Sequence, residues 1–270
     1  MTSTTNWLTA AALALSVGTT GCGNGRDAAP EKPVTLAPTA TALAPAKAAT
    51  LDAKKFSIDT PSSKVDFLME APQEKIVGHV PGASTGTLQI DFMDVTKTTG
   101  LIQVDISGLE LYQAKADKDG KLGPEAKVDA QNKHARTWLE ISEDAPADKR
   151  KENAVVQFSI KSITTKGEKD LTKLAGAERK VTLEVTGDFL LHGHKTEKVT
   201  ELEATFKLDG DKPVSVTIKT VKPFSVNLAE HDVKPRDAFG KLALKTLENL
   251  SPKVAKDAMV SLDVTAKPTH

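Results

Sequence analysis

The stretch "GDFLLHGHK", residues 187–195, places two histidines either side of one glycine, directly after an apolar run. His192 and His194 are the residues here with types and spacing for metal ligation, since side chains two apart on a strand share a face. A protein metal site takes three or four ligands, and Glu197 and Glu201 are the near neighbours of suitable chemistry. Counting from Leu183, Val185, Phe189 and Leu191 as inward positions puts His192 on the outward face, with His194 outward too if the strand runs on. The plainer reading is a polar pair flanking a turn, with Gly193 supplying backbone freedom. Metal ligation by His192 and His194 is therefore the weaker reading, and no metal is assigned.

"EHDVKPRD", residues 230–237, joins His231 to Asp232, a neighbour pair of the acid–base type. No serine or cysteine nucleophile accompanies it, so the segment reads as a polar loop with Asp237 near a helix start. Arg236, with His231 beside it, is also suited to meet a polar lipid head group. "KADKDGKLG" is not a calcium loop. With Gly120 at the sixth position, Lys115 and Ala126 fall where carboxylates are required. The glycines of "GCGNGR" follow no strand and bind no dinucleotide. No catalytic residue and no cofactor emerges, and the chain reads as a non-enzyme.

The bulk numbers agree. The formal net charge is zero, and lysines alternate with acidic residues over 270 residues. That is a solvated surface rather than a nucleic-acid-binding one. Hydrophobic residues make up 39%, enough for one core. The single cysteine, Cys22, excludes a disulfide framework. It follows "LTAAALALSVGTTGC", whose apolar run has signal-peptide length and is too short to span a bilayer. The segment 1–22 is read as a signal peptide ending in a lipobox, with Cys22 lipidated. Residues 23–50, rich in Ala, Pro and Thr, read as a disordered tether.

From residue 51 to 270 the pattern becomes alternation with period two, the mark of half-buried strands. Val65, Phe67 and Met69 alternate with polar or opposite-face residues. Leu88, Ile90 and Phe92 do the same, as do Ile102, Val104 and Ile106, then Val156, Phe158 and Ile160. The longest run is 181–191, followed by Leu202–Leu208, Val214–Ile218, Phe224–Leu228 and Val260–Val264. One apolar and one wet face imply antiparallel pairing. About eight such strands imply an all-β sandwich or barrel, and the length of several favours the barrel. Residues 111–135 read as a long exposed loop. Within 235–258, Phe239, Leu242, Leu247 and Leu250 are spaced for a short helix before the last strand.

In "VTGDFLLHGHKTEKVTELEATF" the chain resembles the "GdLtlhGvtkpv" hairpin of YceI-like proteins. "NKHARTWLEI", with Arg136 and Leu139, resembles their Arg-to-Leu segment. "KIVGHVPGASTGTLQIDF" is similar to their early strand pair, and "AKDAMVSLDVTAKP" to their closing strand. The likeness spans most of 53–268. It departs from the family at the 111–135 insert, at His194 and at 230–240. The resemblance implies a lipocalin-like antiparallel β-barrel in the bacterial cell envelope, in the periplasm or at the outer membrane. It also implies an isoprenoid-type lipid held inside. The expected lining is Phe67, Phe92, Val104, Phe158, Val185, Phe189, Leu191, Phe206, Val226 and Leu262. Expected partners are that lipid, or another long-chain apolar ligand, and a membrane reached through the N-terminal anchor. Two other readings stay open: a metal-binding envelope protein, and a stress or interaction protein with a filled barrel.

Overall fold

The computed structural model describes residues 34–71, 74–234 and 255–269. The strands are β1 (Lys54–Ile58), β2 (Lys64–Ala71), β3 (Glu74–Pro81), β4 (Ser84–Ile90), β5 (Thr99–Asp105), β6 (Glu110–Lys115) and β7 (Ala126–Lys127). Two helices follow, α1 (Asp129–Trp138) and α2 (Ala147–Asn153). Then come β8 (Val155–Thr165), β9 (Glu178–Leu191), β10 (His194–Asp209), β11 (Lys212–Thr220), β12 (Phe224–Asn227) and β13 (Asp257–Pro268). The helix expected across 235–258 lies outside the described residues except at its last positions, where β13 has already begun.

Every pairing is antiparallel, and β1 meets β13 through Phe56↔Pro268 and Ile58↔Ala266, closing the sheet into a barrel of eight strand positions. Four positions are shared by two strands end to end. β1 and β2 run on either side of a 3-10 turn at Thr60–Ser62, and β5 and β6 on either side of one at Ile106–Gly108. Gly82, at φ +61°, separates β3 from β4. Pro223 lies between β11 and β12 and cannot donate to a ladder. Such interruptions let a long wall bend without losing pairing on its flanks.

Alternation sorts side chains as the sequence foretold. Cross-strand partners such as Phe158↔Phe189 and Leu202↔Leu183 face inward together. The interior forms two clusters. One, here the lower, holds Phe56, Leu88, Ile90, Val185, Phe206, Val216 and Val264. The upper one holds Val65, Val80, Leu111, Phe189, Leu191, Phe224 and Val226, with Leu139 from the chain just after α1. Phe158 and Leu262 touch both. Burying a side chain of this size stabilises the fold by about 1.5–3 kcal/mol.

Two expectations change in part. Residues 111–135 are only partly a loop: they complete β6 and form β7 and the start of α1, with a largely exposed loop at 116–125 between. Asn132 explains how this insert attaches to the barrel. Its Oδ1 accepts from Leu111 N at 2.9 Å and its Nδ2 donates to Leu111 O at 3.0 Å. The side-chain amide thus replaces a neighbouring strand at an otherwise open edge.

The second change is at the tether: its residues 34–50 are placed against the barrel, while 23–33 lie outside the described residues. Residues 34–50 lie along the outer wall from the upper end to the lower. Ala37 N donates to Glu230 O, Ala40 N to Gly193 O and Lys195 N to Pro38 O at 2.7–2.9 Å. Further down, Leu43 N donates to Gln157 Oε1 (2.6 Å) and Ser159 Oγ to Ala44 O (2.6 Å). Thr99 Oγ1 donates to Lys47 O and Thr50 Oγ1 to Asp91 Oδ2. Gln157, Ser159, Thr99 and Asp91 are consequently buried, although Gln157 and Thr99 alternate with inward apolar neighbours. The strap needs no apolar periodicity, because polar side chains of the wall hold its backbone. Removing residues 34–50 is expected to cost up to about 7 kcal/mol, at about 1 kcal/mol for each of the seven hydrogen bonds lost. Urea unfolding of the shortened chain measures it; an unchanged midpoint would show that the strap adds nothing to the fold.

Candidate functional site

The inner wall is the candidate site, and its two halves differ. At the lower end Phe92 stacks near Phe56 (6.2 Å between centroids) and meets Phe206 edge-on (5.6 Å). Phe56, Leu88, Val185, Phe206 and Val216 are buried there, so this end is filled. In the upper half the inward positions Phe67, Met69, Ile76, Val156, Val260 and Leu262 are only half-buried, as is Phe158 at the junction. Trp138 of α1 packs against the same cluster and is also half-buried. Inward-facing apolar surface that is not covered by protein is the property a ligand lumen requires.

The expected lining residues all belong to these clusters, but they divide between them. Phe92, Val185 and Phe206 sit in the filled lower end. Phe67, Val104, Phe189, Leu191 and Val226 sit in the upper half, and Phe158 and Leu262 at the junction. Ile76 and Trp138 were not anticipated. Ile76 shares its face of β3 with Gly78, and a glycine interrupts the apolar alternation there. Trp138 lies on a helix, whose period differs from that of the wall.

Oxygen atoms also face this interior. Gln113 pairs across the sheet with Ile76, and its Nε2 donates to Glu74 Oε2. Gln113 Oε1 is buried without a hydrogen-bond partner among the described residues, as are Thr200 Oγ1 and Ser84 Oγ. Buried oxygens of this kind are normally satisfied by water or by the polar end of a guest.

The opening histidines are elsewhere and otherwise engaged. His192 (φ 50°) and Gly193 (φ 72°) form the two-residue turn between β9 and β10, the type with positive φ at both centres. The turn pairs His194 with Leu191, so His194 shares the inward face of Leu191 rather than facing outward. Its Nδ1 meets Ala37 O of the strap at 2.7 Å. His192 is buried, not outward in solvent: Nδ1 meets His231 O and Nε2 meets Glu140 Oε2, each at 3.1 Å. Outward counting failed because the two turn residues, both at positive φ, interrupt the alternation. Among the described residues no three His, Cys, Asp or Glu side chains converge as a metal site.

His231 has no exposed surface, which removes it as a head-group contact. Its Nδ1 donates to the carbonyls of Leu191 (3.2 Å) and His194 (3.0 Å), and its Nε2 accepts from Thr196 Oγ1. This is the neutral imidazole with the proton on Nδ1. Phe189 meets it edge-on at 5.5 Å. Arg236 and Cys22 lie outside the described residues. Glu140, His192 and Asp232 are the non-glycine residues with positive φ among those described, and all line one cleft of about 550 Å³ beside Thr39–Thr41 and α2.

Burial pushes the pKa of His231 down to about 4, against the opposing pull of the two carbonyls. The unfolded chain takes up this proton near its ordinary value of about 6.5, the folded chain only near 4. Stability is therefore full above about 6.5 and falls as pH drops toward 4, by on the order of 3 kcal/mol at most. Thermal melts across that window are expected to show the decline, and His231→Asn, which keeps a donor for the carbonyls, to flatten it.

No protein-family model and no curated protein matches the chain. Among solved structures, a polyisoprenoid binding domain from Saccharophagus degradans, implicated in plant cell wall breakdown, aligns with TM-score 0.51 at 12% identity. The alignment covers 79% of this chain and 98% of that one. BcnA of Burkholderia cenocepacia aligns with TM-score 0.46 at 14% identity, over 78% of this chain and 99% of that one. No helix among the described residues is long and apolar enough to cross a membrane. The eight-position antiparallel barrel, its closure and this likeness agree: the chain shares the closed antiparallel β-barrel fold of the Saccharophagus domain.

Proposed function

We propose that the protein holds an isoprenoid-like or other long-chain apolar ligand in the upper half of its barrel, for sequestration or transport in the bacterial envelope. The carrying observation is the half-buried inner wall of Phe67, Met69, Ile76, Val156, Phe158, Val260 and Leu262 above a filled lower end. A chain laid on that wall gains about 0.8 kcal/mol per buried CH₂. A few prenyl units therefore offset an association cost of about 4–15 kcal/mol. The reading invokes binding without a chemical step. The polyisoprenoid-binding description of the Saccharophagus domain supports it.

The same reading takes residues 1–22 as a signal peptide, Cys22 as the lipidated N-terminus and 51–270 as the barrel domain. The membrane partner is then reached through the lipid on Cys22, in the periplasm or at the outer membrane. Organic extraction of the purified protein followed by mass spectrometry is expected to release a long-chain apolar lipid. A protein that yields none and takes up none would be a filled barrel, and the lipid reading would be lost. Cys22→Ala is expected to move the protein from the membrane fraction to the soluble one; an unchanged distribution would remove the anchor.

A further inference from the structure

Phe67 and Gly78 stand directly opposite each other on β2 and β3, both on the inward face. A Cβ built on Gly78 would fall 2.2 Å from Cε1 and Cζ of Phe67 and 2.8 Å from Cδ1. No backbone atom is among those nearest neighbours. The ring therefore lies flat over the glycine, against the wall, in space that any other residue at 78 would occupy. Gly78 is buried while Phe67 is half-buried. The ring covers the glycine and keeps part of its own surface toward the interior.

A second pair repeats the arrangement at the junction of the two clusters. A Cβ on Gly187 would meet Phe158 Cζ at 2.4 Å and Cε1 at 2.6 Å. There the carbonyl of Ser159 is also only 2.7 Å away, so Gly187 is constrained by the backbone as well as by the ring. Gly78 lacks that second constraint. Its backbone is not in the left-handed region either, so conformational freedom does not require glycine at this position. What requires it is the ring.

We infer that Gly78, by letting the Phe67 ring lie flat, sets the width of the upper lumen and so admits a methyl-branched isoprenoid chain. This rests on the lipid-holding reading above. A methyl group at 78 cannot share space with the ring, and the ring must swing off the wall. On the lipid-holding reading, that swing carries the ring inward, across the path of the ligand. A straight acyl chain, thinner for lack of methyl branches, passes a narrowed lumen that an isoprenoid does not.

The test measures uptake of two probes by the full-length protein: solanesol, an isoprenoid alcohol, and octadecanol, a straight-chain one. Wild type is expected to take up solanesol. Gly78→Ala is expected to lose solanesol by on the order of tenfold, the scale of a small steric change in an apolar pocket, while holding octadecanol. Adding Phe67→Leu to Gly78→Ala is expected to restore solanesol. Solanesol uptake unchanged in Gly78→Ala, or equal loss of both probes, would overturn the inference while leaving lipid binding intact. Uptake of neither probe by wild type would instead sink the lipid reading and this one with it. Should Gly78→Ala fail to fold, Phe67→Ala widens the lumen from the other side. It is then expected to raise the solanesol-to-octadecanol ratio, and an unchanged ratio overturns the inference.

Discussion

The ladder between β1 and β13 is what gives this chain an inside. Phe56, Ser57 and Ile58 pair with Pro268, Lys267 and Ala266, joining the first strand of the domain to the last. An open sheet with the same alternation would bury one face only against another layer. Closure instead turns each inward face toward the others and removes the two longest edges. It is a contact between chain ends, formed late in any stepwise assembly because it closes the longest loop. Lys267 extends the seam through an ion pair with Asp59 at 2.9 Å. Thr269 N adds a hydrogen bond to Lys55 O. The two core clusters exist as clusters only because this seam holds.

Given a closed barrel, its contents decide its use. A barrel of eight strands is just wide enough either to fill with side chains or to hold one small ligand. This one does both in different halves. Phe56, Phe92 and Phe206 meet across the lower end and occupy it with rings. The upper half spends its aromatics differently: Phe67 and Phe158 lie over glycines, along the wall rather than across the lumen. The same residue type therefore plugs one end and lines the other, and a glycine beneath the ring marks the lining ones.

Much of this was legible in the sequence. Period-two alternation identifies the core-facing side wherever a strand is long, as at Val181–Leu191, and the residues expected to line the barrel belong to the two core clusters. Three features were not legible, for one reason. The strap, the insert and the hairpin end are each fixed by partners remote in sequence. Leu43 bonds Gln157 at a separation of 114 residues, and nothing in an Ala/Pro/Thr-rich stretch foretells an acceptor that far away. Asn132 reads as an ordinary polar loop residue until Leu111 is placed beside it. His192 and His194 read as alternating strand residues until the two positive φ values of the turn break the count.

The strap also links the ends of the barrel unequally. Its first residues bond Glu230, Gly193 and Lys195 at the upper end, and its last bonds Asp91 at the lower. The segment Ala229–His231 touched by Ala37 is the one whose His231 ties Leu191 to His194. Chain entering from residue 33 is thus delivered to the half whose inner wall is accessible, and to the loop that braces the β9–β10 turn. Hydrogen bonds can bear such a load only if they are not traded for water. Several strap contacts here are made to buried or part-buried partners, Gln157 and Ser159 among them.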